Sequence, residues 1–196
     1  MLTGERLIFW LWWGWGLYWM LAALRNKATR RREPLGSRLA HLLPLAVGAA
    51  LLAWPARRWS ALAWQLWPPS LAACWIGVAL VIAGLAFAVW ARVHLGGNWS
   101  GMVTVKQGHE LIRSGPYAYV RHPIYTGLIT ALLGTAVASG TVRGAIGLAI
   151  IVASFVRKLH TEEDFMRETF PGEYQRYSAE VPALIPFTRP RRSSGR

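Results

Sequence analysis

The sequence predicts an all-α, polytopic integral membrane protein with about five transmembrane helices. Three observations carry that prediction. Of the 196 residues, 54% are hydrophobic and 16% charged, with a mean hydropathy of +0.27, whereas a soluble domain carries about a quarter charged residues. Apolar runs recur at lengths close to the roughly 20 residues that a crossing helix needs. Twelve tryptophans in so short a chain suit an aromatic belt at the membrane–water boundary. The same composition excludes intrinsic disorder, and a single cysteine, Cys74, excludes both an internal disulfide and a cysteine metal cluster.

The runs fall in order along the chain. The stretch 7–24 is apolar apart from one aromatic hydroxyl and is long enough to span. The stretch 39–54 is a weaker span that ends at Pro55-Ala56-Arg57-Arg58. The stretch 70–90 contains no charge. The stretches 124–139 and 141–155 are separated by Gly140 and read as a tight helical hairpin with Arg143 near its turn.

Charge placement sets the orientation. Eighteen of the 22 Lys and Arg fall in 25–38, 92–122 and 157–196, and the opposite side keeps Arg6, Arg57, Arg58 and Arg143. Under the positive-inside rule the rich side is cytoplasmic, with the N-terminus outside and the C-terminus inside. The net charge of +13 is then a topology and anionic-lipid signal. Nucleic acid is excluded as a partner, because no aromatic-interleaved soluble domain accompanies the charge. The first span does not read as a cleavable signal, since its positive charge follows the apolar stretch. An Ala-, Arg-, Leu- and Trp-rich composition reads as prokaryotic, which makes the inner (plasma) membrane the expected location.

Acidic residues are as uneven. None occurs between Glu33 and Glu110, while Glu162, Glu163, Asp164, Glu168 and Glu173 crowd together. Two polar regions result, 92–125 and 157–186, both on the cytoplasmic side, and any chemistry requires them to meet. The first contains His94-Leu95-Gly96-Gly97-Asn98-Trp99-Ser100, His109-Glu110-Leu111-Ile112, Gly115-Pro116-Tyr117 and Arg121-His122-Pro123-Ile124-Tyr125-Thr126-Gly127. The second contains Arg157-Lys158, Glu162-Glu163, Phe170-Pro171-Gly172-Glu173-Tyr174 and Val181-Pro182-Ala183-Leu184-Ile185-Pro186.

This ordered set resembles the isoprenylcysteine carboxyl methyltransferase family and its phospholipid N-methyltransferase relatives, over about residues 75–187. The resemblance divides the chain into an N-terminal two-span region (1–69), a methyltransferase core (70–187) and a basic tail (188–196). It implies an integral membrane enzyme that uses S-adenosylmethionine without a Rossmann domain and releases S-adenosylhomocysteine. The sequence agrees on the negative point: no Gly-x-Gly-x-x-Gly follows a strand, and strands and helices do not alternate. The acceptor implied is a lipid or lipidated molecule entering from the bilayer. The oligomeric state is left open.

By the same resemblance, His109, Leu111, Ile112, Tyr117, His122, Pro123 and Tyr125 belong to the cofactor pocket, and Glu162 aligns with the family's cofactor-contacting glutamate. The residue chemistry is compatible. A carboxylate offers two oxygens to the two ribose hydroxyls, and Glu163 points about 100° away from Glu162 on a helix. Pro116 and Pro123 break the backbone beside the membrane, where irregular structure is tolerated around a cavity. Arg157 and Lys158 are the cations placed to neutralise an acceptor carboxylate, with Lys158 one helical turn before Glu162. The family usually carries arginine where Lys158 stands, which departs from a guanidinium fork. No metal site is expected, because His94, His109 and His122 lack ligand spacing. A carboxylate nucleophile needs no general base, whereas an amine needs one within reach, for which Glu163 or His160 is the candidate. Carboxyl O-methylation is therefore the first reading, phospholipid amine N-methylation the second, and an NADPH-dependent membrane reductase a more distant third.

Overall fold

The computed structural model describes residues 3–24, 35–53, 64–96 and 111–188. They form six helices: α1 (Thr3–Ala23), α2 (Leu35–Ala53), α3 (Leu71–Leu95), α4 (Pro123–Ser139), α5 (Val142–Thr169) and the short α6 (Glu173–Glu180). A single 3-10 turn, Gly115–Ala118, precedes α4. The starts are fixed locally. Ser70 caps α3 by accepting from the Ala73 amide at 3.1 Å, and Thr141 caps α5 by accepting from the Gly144 amide at 3.2 Å, each replacing a donor bond that the first helical turn lacks. Gly140 ends α4 in a left-handed conformation (φ 58°), open to glycine at no steric cost.

Small residues set the helix packing. Gly77 of α3 faces Gly134 of α4, and Gly84 faces Gly127, so a Cβ added at any of the four would collide with the opposing backbone. Two glycines spaced by seven on each helix thus bring the antiparallel pair into backbone contact, as membrane helices do in the absence of a hydrophobic drive between them. Gly48 of α2 and Gly147 of α5 repeat the device. Helix α1 lays Ile8, Leu11, Trp12 and Trp15 over Val78, Val81 and Leu85 of α3 and Ala131 of α4. The Trp12 indole donates to Thr135 Oγ1 at 3.0 Å.

Contacts at the helix ends show that α1 to α5 alternate in direction. Gly4 lies against Cys74 and the Ala22 carbonyl accepts from Arg92, so α1 and α3 run parallel. Ala40 of α2 meets Arg157 of α5, and Leu51 meets Arg143, so that pair is antiparallel. At the end of the bundle opposite Arg92, the Trp64 and Gly140 carbonyls accept from Val142 and Leu66 at 2.9 and 2.7 Å and tie the approach to α3 onto the α4–α5 turn.

By length and composition, α3 is the one helix among the described residues that can cross a membrane; 40–53 and 123–139 are shorter apolar helices. The first expected span falls short because α1 draws its apolar surface from Trp10, Trp12, Trp13, Trp15 and Trp19, and indole, which prefers the interface, adds little to hydropathy. A second difference lies in α5. The fifth expected run ends at 155, yet the helix continues unbroken to Thr169, about 42 Å in all. That continuity mounts Lys158, Glu162 and Glu163 on the same rigid rod as the apolar segment.

Candidate active site

The N-terminal end of α4 and the C-terminal half of α5 meet at one end of the bundle, where charged side chains of the two polar regions pair with one another. Pro123 is buried at the first position of α4, where a missing N–H costs nothing. It leaves Arg121 and His122 just outside the helix and Tyr125 in its first turn. The chain that follows α6 returns alongside: the Arg121 and His122 amides donate to the Pro182 and Ala183 carbonyls at 2.9 and 3.0 Å, and Thr126 Oγ1 donates to the Leu184 carbonyl at 2.7 Å.

Glu162 and Glu163, adjacent in sequence, enter different environments. The Glu162 Oε1 atom accepts from the Tyr125 hydroxyl at 2.7 Å and faces Lys158 Nζ at 3.8 Å. Its Oε2 atom stands 3.7 Å from His122 Nδ1, beyond hydrogen-bond reach, and keeps acceptor capacity. The side chain is 24% exposed, so a ligand can reach it. Glu163 is 5% exposed and is enclosed by cations. Arg121 donates to its Oε1 from Nε at 2.8 Å and also from Nη2, His122 Nε2 lies 3.3 Å from the same oxygen, and Arg167 donates to Oε2 at 3.1 Å. Facing a carboxylate, which only accepts, Nε2 of His122 is the donor. Burial alone would raise the Glu163 carboxyl, but the hydrogen bonds from His122 and Arg121, with their charge, outweigh it and hold it down at about 2.

Arg121 does more than neutralise Glu163. Its Nη1 atom donates to the Ser178 and Val181 carbonyls at the end of α6, where terminal carbonyls lack helical partners and a cation suits the dipole. Nothing in the spacing of the sequence marks this role, since Glu163 lies 42 residues on; its place beside His122-Pro123 is the one available signal. Tyr174 and Tyr177 of α6 are buried, and the Tyr177 hydroxyl donates to the Tyr117 carbonyl at 2.6 Å. Burial pushes both phenols up.

The other expected site residues are dispersed around this cluster. Tyr117 is buried with its ring stacked on His94 at 6.4 Å; burial pushes its phenol up, with Tyr177 and the Glu162 carboxylate adding to the effect. Leu111 and Ile112 are half-buried in the approach to the 3-10 turn. His109, with the Asn98-Trp99-Ser100 motif, lies outside the described residues. Arg157 points elsewhere: it is exposed and donates to the Ala40 carbonyl of α2 at 3.3 Å, so Arg157 and Lys158 do not form a paired cation site.

The chain resembles known proteins over this same region. The model of the isoprenylcysteine carboxyl methyltransferase family matches residues 76–168. A protein-S-isoprenylcysteine O-methyltransferase of Schizosaccharomyces pombe is 33% identical over 100 residues, which is 50% of this chain and 42% of that protein. The Homo sapiens protein of the same name is 30% identical over 129 residues, 63% of this chain and 45% of that one. Protein-S-isoprenylcysteine O-methyltransferase B of Arabidopsis thaliana is 27% identical over 114 residues, 57% of this chain and 58% of its own. The chain thus spans about half the length of these relatives. Among solved structures, a eukaryotic intramembrane Ras methyltransferase of the isoprenylcysteine carboxyl type shares the fold, with a TM-score of 0.50 at 22% identity over 81% of this chain and 55% of that one.

Proposed function

We propose that this chain, whose residues 76–168 match the model of the isoprenylcysteine carboxyl methyltransferase family, is a member of that family and methylates the carboxylate of a lipidated acceptor with S-adenosylmethionine. When bound, that cofactor supplies a methyl group on a cationic sulfur. The donor set fits it. The Glu162 carboxylate is half-open, anchored at one oxygen by Tyr125 and able to accept ligand hydroxyls at the other. The stacked rings of His122 and Tyr125 offer a face for an aromatic base, and Leu111, Ile112, Tyr117 and Pro123 would line the remainder, with His109.

The observation that carries the carboxylate reading is the enclosure of Glu163. A carboxylate nucleophile is already ionised at neutral pH and asks the protein for position and dryness. An amine must lose a proton to a base within reach, and Glu163 is occupied by Arg121, His122 and Arg167. Glu163 is therefore a positioning residue that locks His122, and Lys158, which faces Glu162, is the cation assigned to orient an anionic acceptor. Arg157 has no direct part. The same reading takes α1 to α5 as five spans, N-terminus outside, in the inner membrane of a prokaryote, with residues 188–196 on anionic headgroups.

The test is methyl transfer from labelled S-adenosylmethionine to a small S-isoprenyl cysteine with a free carboxylate, beside its carboxamide and phosphatidylethanolamine. Base-labile methyl ester on the acid alone is expected, at a rate nearly flat from about pH 6 to 9 because a carboxyl titrates near 4. Label in phosphatidylethanolamine, rising with pH, would replace this reading with amine methylation.

A further inference from the structure

Helix α2 carries none of the motifs and lies outside residues 76–168, yet side chains connect it to the site. Pro44 sits inside α2. Proline has no N–H, so the carbonyl four residues back, that of Ala40, loses its helical donor. Arg157 Nη1 donates to that carbonyl at 3.3 Å. One residue on, His41 Nδ1 lies 2.9 Å from Ser154 Oγ, and the same hydroxyl reaches the His41 carbonyl at 3.3 Å. Ser154 and Arg157 share a face of α5, so together they clamp the proline turn of α2.

From that clamp a row of rings leads to the site. His41 lies 6.2 Å from Phe155 at an interplanar angle of 36°. Phe155 stacks on Tyr125 at 5.0 Å and 25°, and Tyr125 on His122 at 5.7 Å and 17°. All three separations fall in the favourable range of about 4.5–7 Å for ring pairs. The row ends where the Tyr125 hydroxyl donates to Glu162.

We propose that α2 is a positioning element of the site. The Pro44 break, clamped by Ser154 and Arg157, holds His41 against Phe155, and the stack fixes the tilt of the Tyr125 ring and hence the aim of its hydroxyl. An unbroken α2 would keep the Ala40 carbonyl for its own helix and remove the anchor for Arg157. The consequence for ligand binding rests on the proposed function; the positioning of Tyr125 does not.

The test places 3-fluorotyrosine at position 125 of the full chain in detergent and follows its fluorine resonance. Phe155→Leu and His41→Leu should each move that resonance. Phe155→Tyr, which keeps the ring, should return it, and Val156→Leu on the exposed side of α5 should leave it in place. An unmoved resonance in both Leu variants overturns the proposal whatever the protein binds. In calorimetry, Phe155→Leu should weaken S-adenosylhomocysteine about 3- to 10-fold per folded molecule, but less than about 2-fold in a Tyr125→Phe background. An equal loss in both backgrounds also overturns it, because Phe155 would then act by packing alone. If the wild-type chain binds no S-adenosylhomocysteine, the proposed function fails while the fluorine resonance still decides the positioning.

Discussion

Glu162 and Glu163 divide one dipeptide between two tasks, and the helix separates them. One turn of about 100° per residue sends Glu162 to Tyr125 and Lys158, and Glu163 to Arg121 and Arg167. Glu162→Gln removes a charged acceptor from the half-open side. A cost of about 1.5–3 kcal/mol, roughly 10- to 150-fold in S-adenosylhomocysteine affinity, is expected by calorimetry without loss of fold. Glu163 predicts a different signature. Its carboxyl is held down at about 2 from an ordinary 4.5, so it contributes stability that is complete above about pH 4.5 and drains away as pH falls through about 2. Glu163→Gln should therefore lower the melting temperature at pH 7, and the gap to the wild type should narrow steadily towards pH 2.5. A gap that stays constant with pH would mean that the ion cluster contributes no net stability. Glu162, His122 and Tyr125 are legible in the sequence because each stands in a recognisable motif. Arg121 stands in one too, but its role depends on a carboxylate 42 residues away and two carbonyls at the end of α6, which no local pattern encodes.

At the scale of helices, apolar run lengths predict the elements well and their continuations poorly. The hairpin around Gly140 is legible because glycine between two apolar runs has one economical use. The extension of α5 to Thr169 is not, since periodicity alone does not separate a membrane helix that continues into water from two helices in series. The glycine pairs are a second hidden feature. Gly77, Gly84, Gly127 and Gly134 look like ordinary small residues until α3 and α4 are aligned antiparallel, where Gly84 meets Gly127 backbone to backbone. Filling that contact forces the helices apart, at about 1–3 kcal/mol for an overpacked interior. Gly84→Leu should lower the detergent melting temperature by several degrees and, by moving the start of α4, weaken S-adenosylhomocysteine as well. Gly14 of α1 has nothing within 4 Å of an added Cβ, so Gly14→Leu should change neither. Equal effects at the two glycines would show that helix propensity, not the α3–α4 crossing, sets the cost.

For the whole molecule, two independent asymmetries coincide. Eighteen of 22 basic residues fall in three segments, and the alternating helices bring the flanks of those segments to one end of the bundle. The end of α1 joins the end of α3 through Arg92 and Ala22, and the start of α2 joins α5 through Ala40 and Arg157. The start of α4 joins α5 through Tyr125 and Glu162. The opposite end holds Arg143, which reaches back to Leu51, and the strip from Trp64 to Leu66 against the α4–α5 turn. The charge rule acts on short flanking segments during insertion, whereas these contacts form as the helices pack. On the proposed five-span reading, that shared end is the cytoplasmic one and carries Glu162. A reporter active only in the cytoplasm should therefore work when fused after Arg196 and fail when inserted beside Arg57, and a reporter active only outside should show the reverse. A cytoplasmic signal at Arg57 would take α2 out of the membrane, and with it the five-span reading, while leaving the α4–α5 site intact.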